Sequence, residues 1–123
     1  MTPEKAYQYA VEHGPSEKTR KIACTNPDTA YDYARDIDQC PRDDTREAAC
    51  KQPFASYLYA SAIDKCPRDD TRKGACKDPY WAYNYTLFLD KCFHEDTWEA
   101  VQNTGWKKEY EEFINLIMKE EII

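Results

Sequence analysis

The chain has 123 residues, a net charge of −6 at pH 7, ten tyrosines and only three glycines. This length is typical of a single domain that can bury a core without a metal ion or a disulfide bond. Three glycines cannot supply the positive-φ turns of a small β-sandwich or barrel, and the excess of acidic residues argues against a protein that binds nucleic acid phosphates directly.

The first residues of the chain contain neither a basic segment nor an apolar run, so they do not form a secretion signal. No stretch approaches the ~20 apolar residues that a membrane span needs. We therefore expect a cytoplasmic protein that has no contact with a membrane. The six cysteines keep a disulfide-stapled extracellular protein open as an alternative, because a signal could have been removed from a mature form.

The strongest pattern is an internal repeat with a step of 26 residues. The segment Cys-Pro-Arg-Asp-Asp-Thr-Arg occurs twice, at residues 40–46 and 66–72. Two cysteine ladders, two tyrosine ladders and one aspartate ladder follow this step: Cys24, Cys50 and Cys76; Cys40, Cys66 and Cys92; Tyr31, Tyr57 and Tyr83; Tyr33, Tyr59 and Tyr85; and Asp38, Asp64 and Asp90. Self-similarity at such a period is typical of stacked repeat proteins.

Each unit is predicted to form a long helix followed by a short one. A polar residue stands before each proline that can open a long helix: Pro3, Pro27, Pro53 and Pro79. One apolar stripe at helical spacing then runs from Ala30 to Cys40, so we expect the long helix to reach the cysteine and to stop at Pro41. The short helix follows, and its small residues should allow close packing.

The predicted fold is all-α, a short solenoid of paired helices that is similar in general architecture to HEAT and TPR arrays. The single domain, residues 1–123, contains a degenerate unit over 3–24, full units over 27–50 and 53–76, a fourth unit over 79–101 and a C-terminal helix over 105–120. The segment from Gly105 matches the unit only in length. We expect it to cap the last unit, and the terminal Ile122-Ile123 leaves a homodimer through this helix open.

Two strings of the repeat, Cys-Pro-Arg-Asp-Asp-Thr-Arg and Ala-Tyr-x-Tyr-Ala, resemble tandem repeats in proteins of large tailed bacteriophages, most of which have no assigned function. The resemblance covers about residues 3–101. It implies a phage protein made in the cytoplasm of a bacterium. It carries over no catalytic residue, since none can be mapped from that family.

The recurring residues are predicted to form the scaffold. The nearest cysteines, Cys40 and Cys50, are too far apart in sequence for the paired ligands of a structural zinc site, so we expect no metal and no cofactor. Both cysteine ladders are expected to be free, buried thiols. The tyrosine ladders are expected to form aromatic core or to stack between repeats. The aspartates should cap helices or pair with Arg42, Arg46, Arg68 or Arg72. We predict no enzyme, because an active site is normally singular.

Positions that vary between units are the better candidates for function. They change from charged in the first full unit, as at Asp28, to apolar and aromatic in later units. The predicted partner-binding residues are Phe54, Leu58, Tyr80, Trp81, Asn84 and Phe88. Aromatic anchors of this kind are enriched in protein interfaces, although the C-terminal helix could instead cover some of them.

These features predict a non-enzymatic module that binds another protein. With the phage resemblance, that partner would be a host protein, and binding would inhibit host defence or modify host machinery. An acidic decoy of nucleic acid, which occupies a nucleic-acid-binding protein, is the alternative from another class.

Overall fold

The computed structural model describes residues 1–122, with side chains for residues 1–120, and over this range it contains nine helices and no strand. The first helix of each unit is called its long helix, and in α3, α5 and α7 the length includes a π-helical extension described below. The α-helical bounds are α1 (Pro3–His13), α3 (Pro27–Tyr33), α5 (Pro53–Leu58), α7 (Pro79–Tyr85) and α9 (Trp106–Ile122). The short helices are α2 (Glu17–Ala23), α4 (Asp43–Ala49), α6 (Asp69–Ala75) and α8 (Glu95–Val101). Each long helix before α9 packs against the short helix that follows it and against the next long helix. The predicted all-α array of helix pairs is confirmed.

The long helices α1, α3, α5 and α7 begin where the polar residue and the proline predict. The preceding side chain accepts a hydrogen bond from a backbone N–H of the first turn, and proline follows at the first helical position. The capping residues are Thr2, Asn26, Gln52 and Asp78. Because the proline lacks an N–H that would be unpaired there, this arrangement satisfies the start of each helix.

The long helices of the three central units end earlier than the apolar stripe predicts. Each continues into a π-helical segment, and each segment stops at a residue in the left-handed conformation, with φ between 53° and 57°. The segments are Ala34–Asp38, Tyr59–Asp64 and Thr86–Asp90. The cysteines at positions 40, 66 and 92 therefore lie beyond the helices, and the prediction that the helix runs to them is wrong. The wider π turn and the left-handed residue redirect the chain before the cysteine, and the third segment does so although Phe93 stands there in place of Pro41 and Pro67.

A tyrosine of the next long helix holds the start of each short helix. At α4 the Tyr59 hydroxyl accepts from the Arg42 N–H at 2.9 Å, donates to the Arg42 carbonyl at 3.1 Å and shares a hydrogen bond with Thr45 Oγ1 at 2.8 Å. The Arg42 side chain makes no cap of its own. Tyr33 and Tyr85 bond α2 and α6 in the same way, and all three rings are fully buried.

The chain contains a further copy of this arrangement in α9. The Tyr110 hydroxyl accepts from the His94 N–H at 3.1 Å and shares a 2.9 Å hydrogen bond with Thr97 Oγ1 at the start of α8. The segment from Gly105 thus matches the unit in more than length, and α9 is the long helix of another unit. Tyr110 lies one residue earlier than the 26-residue step from Tyr85 predicts, which hid the match.

The helices approach closely because the residues between them are small. Thr45 and Ala49 of α4 are fully buried, and a Cβ at Gly74 of α6 would overlap the Ser56 side chain. The close packing expected for the short helices is therefore present. Residue 123 and the side chain of residue 122, on which the homodimer alternative partly rests, lie outside the described residues.

Candidate binding surface

Six aromatic side chains from three successive long helices form one continuous row, which we term the aromatic strip. Its members are Phe54, Tyr57, Tyr80, Trp81, Tyr83 and Trp106. The Trp81 ring stacks on Phe54 at 4.6 Å between ring centroids and lies 5.2 Å from Tyr57. Tyr80 joins Trp81 to Trp106, at 4.8 Å and 5.1 Å, and Tyr83 stacks on Trp106 at 5.4 Å.

The helical repeat places these rings side by side. Phe54 and Tyr57 are three residues apart, as are Tyr80 and Tyr83, so each pair lies on one face of its helix. The long helices α5, α7 and α9 pack in order, which brings the faces of consecutive units together. The offset, tilted and edge-to-face contacts are the arrangements that aromatic pairs prefer.

The strip is partly open to solvent. Phe54 and Tyr80 are 40% and 42% exposed, and the other four rings are half-buried. Each ring is thus fixed by its neighbours while the strip as a whole keeps an accessible apolar surface. Contiguous apolar surface of this kind is uncommon on monomeric proteins and is typical of binding sites.

Three of the six predicted partner-binding residues, Phe54, Tyr80 and Trp81, belong to the strip, and the other three do not. Leu58 packs on the buried cluster around Tyr59. Asn84 donates from Nδ2 to the Tyr80 carbonyl at 2.8 Å, so its amide is used within its own helix. Phe88 is 56% exposed but makes no ring contact with the described aromatic residues.

Sequence reasoning assigned the remaining strip members to other roles. Tyr57 and Tyr83 recur at the repeat step, which predicts aromatic core or stacking between repeats, and each ring contacts a tryptophan of the next long helix. Trp106 lies in the segment predicted to cap the last unit. The three-residue spacing of Tyr57 from Phe54 and of Tyr83 from Tyr80 was a signal that could have placed these two tyrosines on the surface. Trp106 lies 26 residues after Tyr80, so the repeat step could have placed it. A recurring residue can thus serve the scaffold in one unit and a surface in the next.

The preceding unit is polar at two positions that match the strip: Asp28 stands where later units have Phe54 and Tyr80, and Thr29 stands where the next-but-one unit has Trp81. Asp36, at the position of Phe88, carries a further charge. Arg35 donates to both carboxylate oxygens of Asp36, at 2.7 Å and 2.9 Å, and these hydrogen bonds lower the pKa of Asp36 to about 2. The Tyr7 hydroxyl also donates to Asp36, at 2.6 Å, which raises the pKa of Tyr7. The aromatic surface is therefore confined to the later units of the array.

The aspartate ladder is committed to ion pairs between units. Arg20, Arg46 and Arg72 of the short helices approach Asp38, Asp64 and Asp90 of the following long helices at 2.6 Å in each pair. The aspartate side chains are 1–4% exposed. Arg42 and Arg68 instead pair locally with Asp44 and Asp70. Carboxylates held in this way join neighbouring units and are not placed as free acid–base groups.

The six cysteines are free thiols in two different environments. Burial raises the pKa of Cys24 and Cys50 to about 11 and that of Cys76 to about 12. The members of the other ladder, Cys40, Cys66 and Cys92, are exposed, so the expectation that both ladders are buried is wrong for this one. Within the described residues, no three histidine, cysteine or acidic side chains are grouped so that they could hold a metal ion.

The two cysteine ladders should react with a thiol reagent at different rates. The thiolate is the species that reacts, and at pH 8 a thiol of pKa 11 is only roughly 0.1% thiolate. We therefore expect three fast and three slow thiols in the folded protein. In urea, where no thiol is buried, all six should react fast. A colorimetric thiol titration measures both phases. Replacing the three exposed cysteines by serine should remove only the fast phase, whereas no reactive thiol after denaturation would favour the disulfide-stapled alternative.

Comparison of the chain with models of protein families, with curated proteins and with solved structures finds no match. Over residues 1–122, no helix combines the length and the apolar character needed to cross a membrane.

Proposed function

We propose that the protein is a non-enzymatic binding module whose aromatic strip receives apolar side chains of a partner protein. The observation that carries this proposal is the unbroken contact of six rings across α5, α7 and α9, with Phe54 and Tyr80 open to solvent. The inner sides of four rings pack against the buried core: Tyr57 and Trp81 against the cluster around Tyr85, and Tyr83 and Trp106 against the cluster around Tyr110. Phe54 and Tyr80 are the members that remain mainly open for a partner.

The chemistry of the strip suits a protein partner. Tryptophan and tyrosine supply large contact areas with few rotatable bonds, and both carry a hydrogen-bond donor. Burial raises the pKa of Tyr57 and of Tyr83, so both hydroxyls stay protonated and can donate at neutral pH. Because ring contacts fix the rings before a partner arrives, little conformational entropy is lost on binding.

The resemblance of the repeat strings to those of phage proteins leads us to expect a bacterial host protein as the partner, bound in the host cytoplasm. Binding would then inhibit or redirect that protein. The extended face of a helical array is suited to this role, since successive units present side chains along one direction.

Affinity capture from a bacterial lysate tests the strip. The variant Phe54→Ala/Tyr80→Ala/Trp81→Ala should lose the captured partner by at least about 30-fold, since central aromatic anchors each contribute about 2 kcal/mol or more. Phe88→Ala is the matched control, because Phe88 is exposed on α7's π-helical extension but lies outside the strip. It should capture the same partner as the parent protein.

The salt dependence of the capture separates the proposed module from an acidic decoy. At 0.5 M salt the Debye length is below about 5 Å, so attraction between exposed charges is largely screened. An apolar anchor surface should retain its partner under this condition, whereas a decoy of nucleic acid should release it. Thermal unfolding of the triple variant checks that it remains folded. Unchanged capture by a folded triple variant, or release of the partner by salt alone, would contradict the proposed role of the strip.

A further inference from the structure

The ion-pair ladder is interrupted between α8 and α9, and three substitutions coincide there. Trp98 stands where the preceding unit has Arg72, 26 residues earlier. Asn115 stands where that unit has Asp90, because each lies five residues after the ladder tyrosine of its helix, Tyr110 or Tyr85. Phe93 replaces the proline that precedes the other short helices. The arginine and the aspartate of the ion pair are thus both replaced between α8 and α9, although the ladder tyrosine, Tyr110, is retained there.

A cavity of about 250 Å³ occupies this place. It is lined by Phe93, Trp98, Tyr110, Glu111, Ile114 and Asn115. Three of these side chains are aromatic: the Phe93 ring lies 6.2 Å from both the Trp98 and the Tyr110 rings, and the latter two are 5.4 Å apart. The one ionised group in the lining is the Glu111 carboxylate, which is exposed and makes no ion pair with any described residue.

The preceding units contain a guanidinium group in the corresponding position. The guanidinium carbons of Arg20, Arg46 and Arg72 lie 5.5–5.6 Å from the centroids of the ladder tyrosine rings, and each group bonds a carboxylate. In each of these three units, an arginine of the short helix thus holds its cation over the ring of the ladder tyrosine. Aromatic faces attract cations in this geometry, and arginine is the commonest cation found there.

We propose that the cavity binds the guanidinium group of an arginine side chain of a partner protein. The rings of Phe93 and Trp98 form the aromatic wall, and Glu111 supplies the counter-charge that aspartate supplies in the other units. The volume suffices for a guanidinium and the adjoining methylenes, since a water molecule takes about 30 Å³ in the liquid. Lys107 already places its ammonium 5.8 Å from the Trp98 ring, so this ring attracts a cation within the chain itself.

This site is separate from the aromatic strip, with which it shares no residue. Its failure or success therefore leaves the proposed function of the strip untouched. The overall net charge of −6 adds a long-range attraction for a basic partner segment.

The test uses a capped arginine, N-acetyl-arginine-N-methylamide, and its citrulline counterpart, which has the same side chain with a neutral urea group. NMR signals of the Phe93 and Tyr110 rings are followed in the full chain. We expect saturable shifts with the arginine probe, with a Kd of about 1–50 mM, and at least about tenfold weaker binding of the citrulline probe. Equal shifts with both probes, or no saturation with arginine, would overturn the proposal.

Two variants sharpen the result. Glu111→Gln should weaken the arginine probe several-fold because the counter-charge is removed, and Lys107→Ala should not weaken it. The double variant Trp98→Arg/Asn115→Asp restores the ion pair of the preceding units, so its own guanidinium should fill the cavity and abolish binding. Thermal unfolding checks that each variant is folded. A folded double variant that still binds the arginine probe would also contradict the assignment.

Discussion

Asp64→Ala is expected to destabilise the protein by about 3–5 kcal/mol, the usual cost of removing one partner of a buried ion pair. The Asp64 carboxylate accepts from Nε and Nη2 of Arg46, and its side chain is 3% exposed. Its removal leaves the Arg46 guanidinium, itself 7% exposed, without its buried counter-charge. The free energy of unfolding, measured by urea denaturation with circular dichroism, checks this loss.

Asp43→Ala provides the matched control. Asp43 accepts from Nη1 of the same arginine at 2.9 Å, but its side chain is fully exposed. Exposed ion pairs are screened by water and contribute little, so the urea midpoint should hardly change. If both alanine variants unfolded at the same urea concentration, burial would not be what makes the Asp64 pair important.

The double variant Arg46→Met/Asp64→Leu should regain most of the stability lost in Asp64→Ala. Replacing both members by apolar residues of similar size removes the uncompensated charge together with the cost of its desolvation. The chain itself shows that the array tolerates the loss of both charges, since Trp98 and Asn115 replace the two members in α8 and α9. A double variant as unstable as Asp64→Ala would mean that the shape of the pair, rather than its charge, is what the array needs.

The fold could be predicted because its signals are local and repeated. The polar residue and proline at Asn26-Pro27 satisfy the first turn of α3 by themselves, and the same chemistry recurs at α1, α5 and α7. The ends of these helices were not predictable from periodicity. The stripe to Cys40 assumes 3.6 residues per turn, and the π-helical segment Ala34–Asp38 departs from that value.

The candidate surface was only half predictable, because variation between units is an incomplete guide to exposure. It identified Phe54, Tyr80 and Trp81, and the ring of each contacts a ring of an adjacent unit. It missed Tyr57, whose recurrence concealed that its ring lies against Trp81. It also missed the cavity beside Trp98. A single departure from the repeat, such as Trp98 in place of arginine, does not reveal from sequence alone which other side chains lie around it.

Tyr59→Ala is the second change for which we expect a large loss, about 3–5 kcal/mol. The Tyr59 ring is fully buried between units, and removing it leaves a cavity whose lining can relax only in part. Tyr9→Ala is the control, because Tyr9 lies six residues after the proline that opens α1, as Tyr59 lies six residues after Pro53. Tyr9 is 49% exposed and its hydroxyl bonds no described short helix, so its replacement should change the unfolding free energy by less than about 1 kcal/mol.

Tyr59→Phe isolates the contribution of the hydroxyl. It keeps the ring and leaves the Arg42 N–H without its acceptor at the start of α4, which should cost about 1–3 kcal/mol. The Thr45 hydroxyl loses its bond to Tyr59 but can still donate to the Arg42 carbonyl. Hydrogen exchange of the α4 amides gives the local readout, because α4 should open more easily than α6, whose start is still held by Tyr85. If α4 and α6 remained equally protected in Tyr59→Phe, the tyrosine hydroxyls would not be what fixes the starts of the short helices, and ring packing alone would hold the units together.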